Sequence, residues 1–453
     1  MFALYRIIRD KDKIFSIALP LVFFILSCMP MMIGISLQGV PLLIVHIAMA
    51  AICVYGIFSD RSRPYTQYKV LNLFFLFFFC IAPIAQYNQG VCLLGTVFLF
   101  GDYMLTSVTS LAVLIITHIV YYLSKQYFDK KHSQKLISQP RFNDVSIGLR
   151  RESILVAISL LLAIYFLYIN QFNVLSLVSR DGDYVDRLPQ SQTVYLISEY
   201  FLRPISLVIL LSTLMLKVKH PWIRPILLIL LVITVPPTGV PRVLTAVVYI
   251  PLVLYLIPLF RRGWNFVALI CVGVLLIFPF LNMFRKVHSN TFGIVSQFLD
   301  LNFDAYSMLM RVLKEDIVTG GTQLLGALLF WVPRSLWSAK PVSSGHYVAD
   351  QTGLNWNDLS MPFWGEGYIN FGYFGVIIFT IVLSVVLAKL DSKYWCITSK
   401  RSRDLDSIKY FLLLSLLIFI LRGSMISAVA YTCGIMVSFY FVKTVVLYEN
   451  TSN

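Results

Sequence analysis

The stretch FGYFGVIIFTIVLSVVLAKL, residues 371–390, decides the fold because Lys389 is its one charged residue. An α-helix needs about 20 consecutive apolar residues to cross the hydrocarbon core of a bilayer. Runs of this kind recur from one end of the chain to the other. Of the 453 residues, 58% are hydrophobic and 13% are charged, and that charged share is about half the value usual in soluble domains. The sequence therefore predicts an all-α, polytopic integral membrane protein.

The apolar runs predict about twelve membrane-spanning helices. The predicted spans are 14–35, 40–58, 70–86, 103–124, 153–170, 195–216, 225–238, 243–260, 265–282, 371–390, 410–424 and 426–446. They divide the chain into an N-terminal membrane region of about nine helices (1–282), a long loop (283–370) and a C-terminal membrane region of about three helices (371–453). The N-terminal segment is basic, but the apolar run after it continues through MPMMIGIS and is followed by another span, which favours a retained first helix over a cleaved signal peptide.

The distribution of Lys and Arg predicts that both termini are cytoplasmic. Cytoplasmic loops of membrane proteins carry an excess of basic residues. With this orientation every short basic loop is cytoplasmic, and the net charge of +15 needs no nucleic-acid partner. The loop 283–370 then lies outside. Eleven of the 37 Lys and Arg residues fall on the outer side: Arg180, Arg187, Arg203, Arg242, Arg285, Lys286, Arg311, Lys314, Arg334, Lys340 and Arg422.

The loop 283–370 is predicted to carry short helices of its own. Apolar residues repeat every three or four positions from Ile294 to Val312, with charged residues between them. This pattern is typical of an amphipathic helix that lies on the membrane or on other spans. The stretch QLLGALLFWVP, residues 323–333, is too short to span and is interpreted as an interfacial or re-entrant segment ended by Pro333.

The stretch WVPRSLWSAKPVSSG, residues 331–345, places two cations among tryptophans and prolines. Prolines restrict the backbone around Arg334 and Lys340, and tryptophan is common at the headgroup level of membranes. Because a guanidinium grips phosphate oxygens with two parallel hydrogen bonds, this pair is interpreted as a clamp for phosphate at the outer surface. The alternative is that both cations only anchor the loop to lipid headgroups.

Two residues after this stretch are candidates for proton transfer. Histidine titrates near neutral pH, and a partly buried glutamate can do so. His346 and Glu366 are therefore predicted catalytic residues together with Arg334. The alternatives are an ordinary loop histidine and a glutamate that caps a helix or pairs with a cation.

Five other outer cations have local interpretations. Arg203 follows Glu199 by one helical turn, which predicts a structural ion pair. Arg242 in TGVPR is predicted at the outer end of a span. It either binds an anionic headgroup or only extends its side chain to the membrane interface. Arg422 is costly there unless it faces protein, water or a ligand. Arg180 is followed by three aspartates and either binds substrate or lies in a solvated loop with internal ion pairs. The candidate substrate-binding cations are Arg180, Arg242, Arg285, Lys340 and Arg422.

Several classes of site are disfavoured by the sequence. The seven cysteines form no CxxC pair, so neither a disulfide framework nor a zinc site is predicted. No nucleotide-binding loop of the GxxxxGK[ST] type and no HExxH motif occurs. We therefore expect no cofactor and no metal ion.

The stretches PRSLWSAKPVSSG, GEGYINFGYFG and TGVPR resemble the O-antigen polymerase (Wzy) family of bacterial surface glycans. The resemblance extends over nearly the whole chain, because the span count and the single long outer loop also agree. The family is described with outer-loop arginines followed eleven residues later by glycine, and Arg334 and Gly345 fit this spacing. A second copy of the pattern is not found at Arg180, Arg242 or Arg285.

This resemblance implies a class C, lipid-linked membrane glycosyltransferase in the bacterial inner membrane. Its substrate would be oligosaccharide repeat units on undecaprenyl diphosphate, which it would join at the periplasmic face. A chain-length regulator and a flippase are implied partners. Two alternatives remain open. One is the related O-antigen ligase, although the His-Asn pair of ligases is replaced here by His346 and Tyr347. The other is a flippase or transporter, which would place its polar residues inside the spans.

Overall fold

The computed structural model describes residues 18–135, 146–173, 191–277, 279–280, 296–356, 359–398 and 405–447. The described part of the chain is almost entirely helical. The helices before residue 300 are α1 (Ala18–Met32), α2 (Val40–Phe58), α3 (Gln67–Asn88), α4 (Phe100–Lys135), α5 (Leu149–Ile169), α6 (Gln192–Ile197, Ser198–Leu202 and Arg203–Met215), α7 (Ile223–Thr234), α8 (Arg242–Leu256) and α9 (Asn265–Ile277). Those that follow are α10 (Ala305–Lys314), α11 (Thr322–Leu328), α12 (Ser344–Gln351), α13 (Phe363–Thr398), α14 (Leu405–Arg422) and α15 (Met425–Leu447). Two short strands, β1 (Ser146–Ile147) and β2 (Lys217–Val218), pair in parallel.

Seven helices in the described residues are long and apolar enough to cross a membrane. They are Leu37–Phe58, Gln67–Asn88, Phe100–Ser133, Leu149–Ile169, Val194–Met215, Phe363–Cys396 and Met425–Val446. This confirms the coarser part of the predicted fold: the described residues are helical, and by length and composition these seven helices could cross a membrane.

The other five predicted spans each contain a helix, namely α1, α7, α8, α9 and α14. Several are short for a crossing: the 12 residues of α7 rise only about 18 Å, whereas the hydrocarbon core is about 30 Å thick. The count of twelve spans, the orientation and the three-part division of the chain therefore stay predictions.

The chain forms two compact units that do not follow chain order. Unit 1 contains the described residues of 1–124, 291–321 and 344–388, and unit 2 contains those of 125–290, 322–343 and 389–453. Each unit thus combines membrane helices with part of the long loop.

Unit 1 is built around α3, whose interior is almost completely buried. Pro83 has no N–H to donate to the preceding turn, and a π-helical segment, Leu76–Ile81, lies just before it. His46 of α2 donates from Nδ1 to the Cys80 carbonyl oxygen at 2.8 Å. The other ring nitrogen then accepts from Ser107 Oγ at 2.9 Å, so these polar groups of the apolar interior are paired.

The segment around 294–312 differs from the single amphipathic helix predicted for it. It contains 3₁₀ turns at Ser296–Leu299 and Leu301–Phe303, and the α-helix begins at Ala305. Asp300 interrupts the helix because its carboxylate accepts from the Asn302 N–H at 3.4 Å. Residues 305–313 are all buried, so Arg311 of the predicted polar face packs inside unit 1, whereas Lys314 at the end of α10 is partly exposed.

Unit 2 has a close approach between α6 and α15. A Cβ atom at Gly434 would overlap the backbone carbonyl of Tyr200, and the rings of Tyr200 and Tyr431 lie 4.3 Å apart. Small residues allow membrane helices to pack backbone against backbone in this way. The approach fixes the segment of α6 that carries Arg203.

Candidate functional site

Arg334 and Lys340 lie in one loop of unit 2, residues 330–341, which we name the basic loop. Pro333 begins a turn in which its carbonyl oxygen accepts from the N–H groups of Leu336 and Trp337, both at 3.1 Å. The Lys340 N–H then donates to the Trp337 carbonyl oxygen at 3.0 Å. Consecutive turns therefore return the chain on itself and bring Arg334 close to Lys340.

The side chains of Arg334 and Lys340 both donate hydrogen bonds to backbone carbonyl oxygens of this loop. Arg334 donates from Nη1 to the Lys340 carbonyl oxygen at 2.6 Å and from Nη2 to the Pro341 carbonyl oxygen at 3.3 Å. Lys340 Nζ donates to the carbonyl oxygens of Phe330 at 2.6 Å and Val332 at 2.8 Å. Burial, and secondarily the charge of Arg334, lower the pKa of Lys340. The two cations thus belong to one loop, and their interpretation as a phosphate clamp stays a prediction.

Arg334 keeps donors that the basic loop does not use. A guanidinium has five N–H donors, and within the described residues its acceptors are the two carbonyl oxygens named above. The side chain is exposed, as are two apolar neighbours, Trp331 at 69% and Leu336 at 81%. The loop thus presents a held guanidinium beside apolar groups, an arrangement suited to headgroup depth.

The basic loop is fixed to its own unit through α11. A Cβ atom at Gly326 would overlap the ring of Pro341, so only glycine permits this contact. α11 ends at Leu328, before Pro333, in agreement with the prediction that this stretch is too short to span. The contact restrains the carbonyl groups that hold Arg334.

Glu366 lies in unit 1, near the start of α13, and is 1% exposed. Its Oε2 accepts a hydrogen bond of 2.6 Å from the hydroxyl of Ser344, the first residue of α12. A buried carboxylate is costly unless it is hydrogen-bonded, and Ser344 supplies such a bond. Glu366 therefore ties α13 to the N-terminus of α12.

His346 lies on α12 one turn from Asp350 and is only half-buried. Its Nε2 lies 3.3 Å from Asp350 Oδ2, one helical turn away. A carboxylate at this position can accept a hydrogen bond from the imidazole and so orient the ring. Of the two predicted proton-transfer residues, His346 is the accessible one.

Glycine permits two close approaches around these residues. A Cβ atom at Gly345 would overlap the carbonyl of Leu359, which gives a structural reason for the glycine eleven residues after Arg334. α13 is broken at Phe371 (φ −145°, ψ 25°) and Gly372 (φ 59°, ψ −148°), and a Cβ atom at Gly375 would overlap the Gly367 carbonyl. Glu366 consequently belongs to a short helical segment that precedes the break at Phe371 and Gly372.

The other predicted cations are distributed differently. Arg203 forms the predicted pair with Glu199, with Nε and Oε2 2.8 Å apart, which confirms a structural role. Arg422 is the last residue of α14 and is half-buried. Arg242 is the first residue of α8, but its side chain lies outside the described residues. Arg180 and Arg285 also lie outside the described residues.

Ser344 is a residue that sequence reasoning missed. It is separated from Glu366 by 22 positions, and no local pattern connects a serine to a glutamate at such a distance. The structure places Arg334 and Lys340 in unit 2 and His346, Ser344 and Glu366 in unit 1. Comparison with known proteins finds no matching family model, no matching curated protein and no matching solved structure.

Proposed function

We propose that this chain is a membrane glycosyltransferase that polymerises oligosaccharide repeat units carried on undecaprenyl diphosphate. The growing chain is transferred from its lipid diphosphate to a hydroxyl of the incoming lipid-linked unit. The bond from the anomeric carbon to the diphosphate oxygen breaks, a bond to the hydroxyl oxygen forms, and the hydroxyl gives up its proton. The reaction occurs at the periplasmic face of a bacterial inner membrane.

The observation that carries this proposal is the state of Arg334. Its side chain is exposed, two backbone carbonyls fix its position, and further N–H donors are not used within the described residues. Trp331 and Leu336 beside it are largely exposed apolar groups. A lipid diphosphate keeps its tail in the bilayer, so its phosphate groups meet a guanidinium held at headgroup depth.

Arg334 suits the charge that develops in this reaction. Negative charge accumulates on the diphosphate oxygens as the glycosyl group departs. Donors that are already in place stabilise such charge without reorganising during the reaction. Lys340 also positions the loop carbonyls, since it donates to Phe330 and Val332.

His346 is the group best suited to take the proton of the attacking hydroxyl. It is half-buried rather than enclosed, and Asp350 stabilises the imidazolium that forms. Glu366 is enclosed and engaged by Ser344, so we assign it a positioning role. It holds the first residue of α12, the helix that carries His346.

A strain that lacks this gene distinguishes the proposed function from its alternatives. Surface glycan is separated on gels after deletion and after complementation with the intact gene. A polymerase is expected to leave single repeat units attached to the surface lipid, with long chains restored by complementation. Long chains that stay unattached would indicate a ligase instead. Loss of all external glycan would indicate a flippase, and either of these two results would overturn the proposal.

A further inference from the structure

A second outer-loop arginine, Arg311, lies buried in unit 1 and belongs to none of the groups described above. It is 4% exposed and lies on α10. Its Nη2 donates to Thr96 Oγ1, and its guanidinium carbon lies 5.8 Å from the centre of the Phe98 ring. Both partners belong to the irregular segment between α3 and α4.

No carboxylate of the described residues lies within ion-pairing distance of Arg311. Its Nε is buried and has no acceptor in that part of the chain. The nearest acid along the helix, Glu315, is exposed, and it acts on Arg311 only through its charge. Burial lowers the pKa of Arg311, and Glu315 opposes that effect. A buried, uncompensated charge with an unused donor is unfavourable, so the site lacks an acceptor.

Lys314 adds a second cation to the same place. Its Nζ lies 5.4 Å from the centre of the Phe98 ring and donates to the Val97 carbonyl oxygen at 3.4 Å. Asp102 Oδ2 is 3.6 Å from Lys314 Nζ. The same oxygen accepts from the Leu99 N–H at 2.8 Å and so caps α4 rather than pairing with Arg311. Lys314 is partly exposed and marks the open side.

We infer that Arg311 and Lys314, with Thr96 and Phe98, form a binding site for a phosphate oxyanion. The Arg311 guanidinium supplies a directional hydrogen-bond donor on the buried side of the site. The Lys314 ammonium supplies positive charge on the partly exposed side, and the Phe98 ring packs against both cations. This site is independent of the proposed function, because it is defined by the charge balance of unit 1 alone. The phosphate belongs either to a membrane lipid or to a soluble ligand.

The test uses the purified full chain in detergent with Arg334→Gln, so that the basic loop does not contribute to binding. Thermal unfolding is followed by tryptophan fluorescence while inorganic pyrophosphate is added. We expect pyrophosphate to raise the Tm, because a ligand that binds only the folded state stabilises it. Adding Arg311→Met should weaken apparent binding about 10- to 100-fold, the range for one hydrogen bond to a charged group.

Two comparisons separate this site from a structural arginine. A structural Arg311 would be needed to hold Thr96, so Arg311→Met would lower the ligand-free Tm about as much as Thr96→Val does. A phosphate site predicts instead that ligand-free Arg311→Met is at least as stable as its parent, because an apolar side chain replaces an uncompensated charge. Lys314→Met leaves the buried contacts intact and should weaken binding while the ligand-free Tm is unchanged.

Two further measurements complete the design. Lys409→Met removes a partly exposed cation of unit 2 that donates to the Tyr440 hydroxyl at 3.2 Å, so its pyrophosphate response should equal that of the parent. Phosphatidylglycerol micelles test a lipid source of the same oxyanion. Stabilisation by either source that is lost in Arg311→Met supports the site. Stabilisation by neither source, or an equal response in Arg311→Met, would overturn it.

Discussion

Two arginines of unit 2, Arg203 and Arg334, are both on the predicted outer side and have opposite surroundings. Arg203 is buried and its charge is paired: Nε lies 2.8 Å from Glu199 Oε2, Nη1 donates to the Thr234 carbonyl oxygen at 2.9 Å, and the guanidinium carbon lies 4.4 Å from the Phe166 ring centre. Arg334 is exposed and has two neutral carbonyl oxygens as its acceptors among the described residues.

The difference separates a cation that supports the fold from one that is available to a ligand. At Arg203 the charge is neutralised within the protein, and a bound anion would have to displace Glu199. At Arg334 the carbonyls set the position of the guanidinium but leave its charge uncompensated. Net charge alone does not distinguish the two; the identity of the acceptors does. The following predictions test this distinction.

Arg203→Met is expected to have the largest effect, and the effect is on stability. Removing one partner of a buried ion pair leaves the other charge uncompensated, which costs about 3–5 kcal/mol in free energy of unfolding. Denaturation of the purified protein in detergent, together with its expression level, measures this. The double variant Arg203→Met with Glu199→Leu should recover most of the lost stability. A stable Arg203→Met protein that has lost polymerisation would place Arg203 with the ligand-binding arginines instead.

Arg334→Lys is expected to reduce activity rather than stability. Lysine keeps the charge but loses the planar fork, so it cannot both retain the carbonyl contacts and present parallel donors to phosphate. Loss of one such contact typically costs about 10²–10³ in rate. Glycan chain length in the complemented deletion strain is the measurement, with protein amounts checked by blotting. Arg187→Ala, in a loop predicted to be solvated, is the control and should give normal chains.

The opposite result for Arg334 has a clear meaning. Normal glycan ladders from Arg334→Ala at normal expression would show that the basic loop only anchors the protein at the membrane. The exposed Trp331 and Leu336 would then be its functional part, and the contrast with Arg203 would concern folding alone.

The sequence predicted those features that depend on neighbouring residues. Glu199 and Arg203 are one helical turn apart, so a helix brings them together by itself. The seven helices long and apolar enough to cross a membrane were likewise predictable, because each is a continuous apolar run of the sequence. The Ser344–Glu366 bond connects residues 22 positions apart and depends on tertiary packing. The helix predicted over 294–312 was wrong for residues 296–304, because the Asp300 side chain binds the local backbone. Hydrophobic periodicity carries no information about such local hydrogen bonds.

His346→Ala is expected to lower the polymerisation rate by about 10²-fold, the lower end of the range for general base catalysis. Glu366→Gln should lower it only a few-fold, because the amide oxygen can still accept the hydrogen bond from Ser344. The rates are measured with a reconstituted lipid-linked repeat unit as substrate. If Glu366→Gln were the more damaging variant, Glu366 would be the base.

Chelation of divalent metal ions is expected to have the smallest effect, a change of less than about two-fold in the rate of the purified enzyme. The expectation follows from the contrast between the two arginines: a guanidinium with uncompensated charge and unused donors can stabilise the negative charge that develops on a departing diphosphate. Within the described residues, no group of three His, Cys, Asp or Glu side chains is arranged to hold a metal ion. Polymerisation is compared with and without excess EDTA, and Arg334→Lys is assayed with and without added magnesium as the matched control. Loss of wild-type activity in EDTA that magnesium or manganese restores would show that a metal ion neutralises the diphosphate. The unused donors of Arg334 would then not separate its function from that of Arg203.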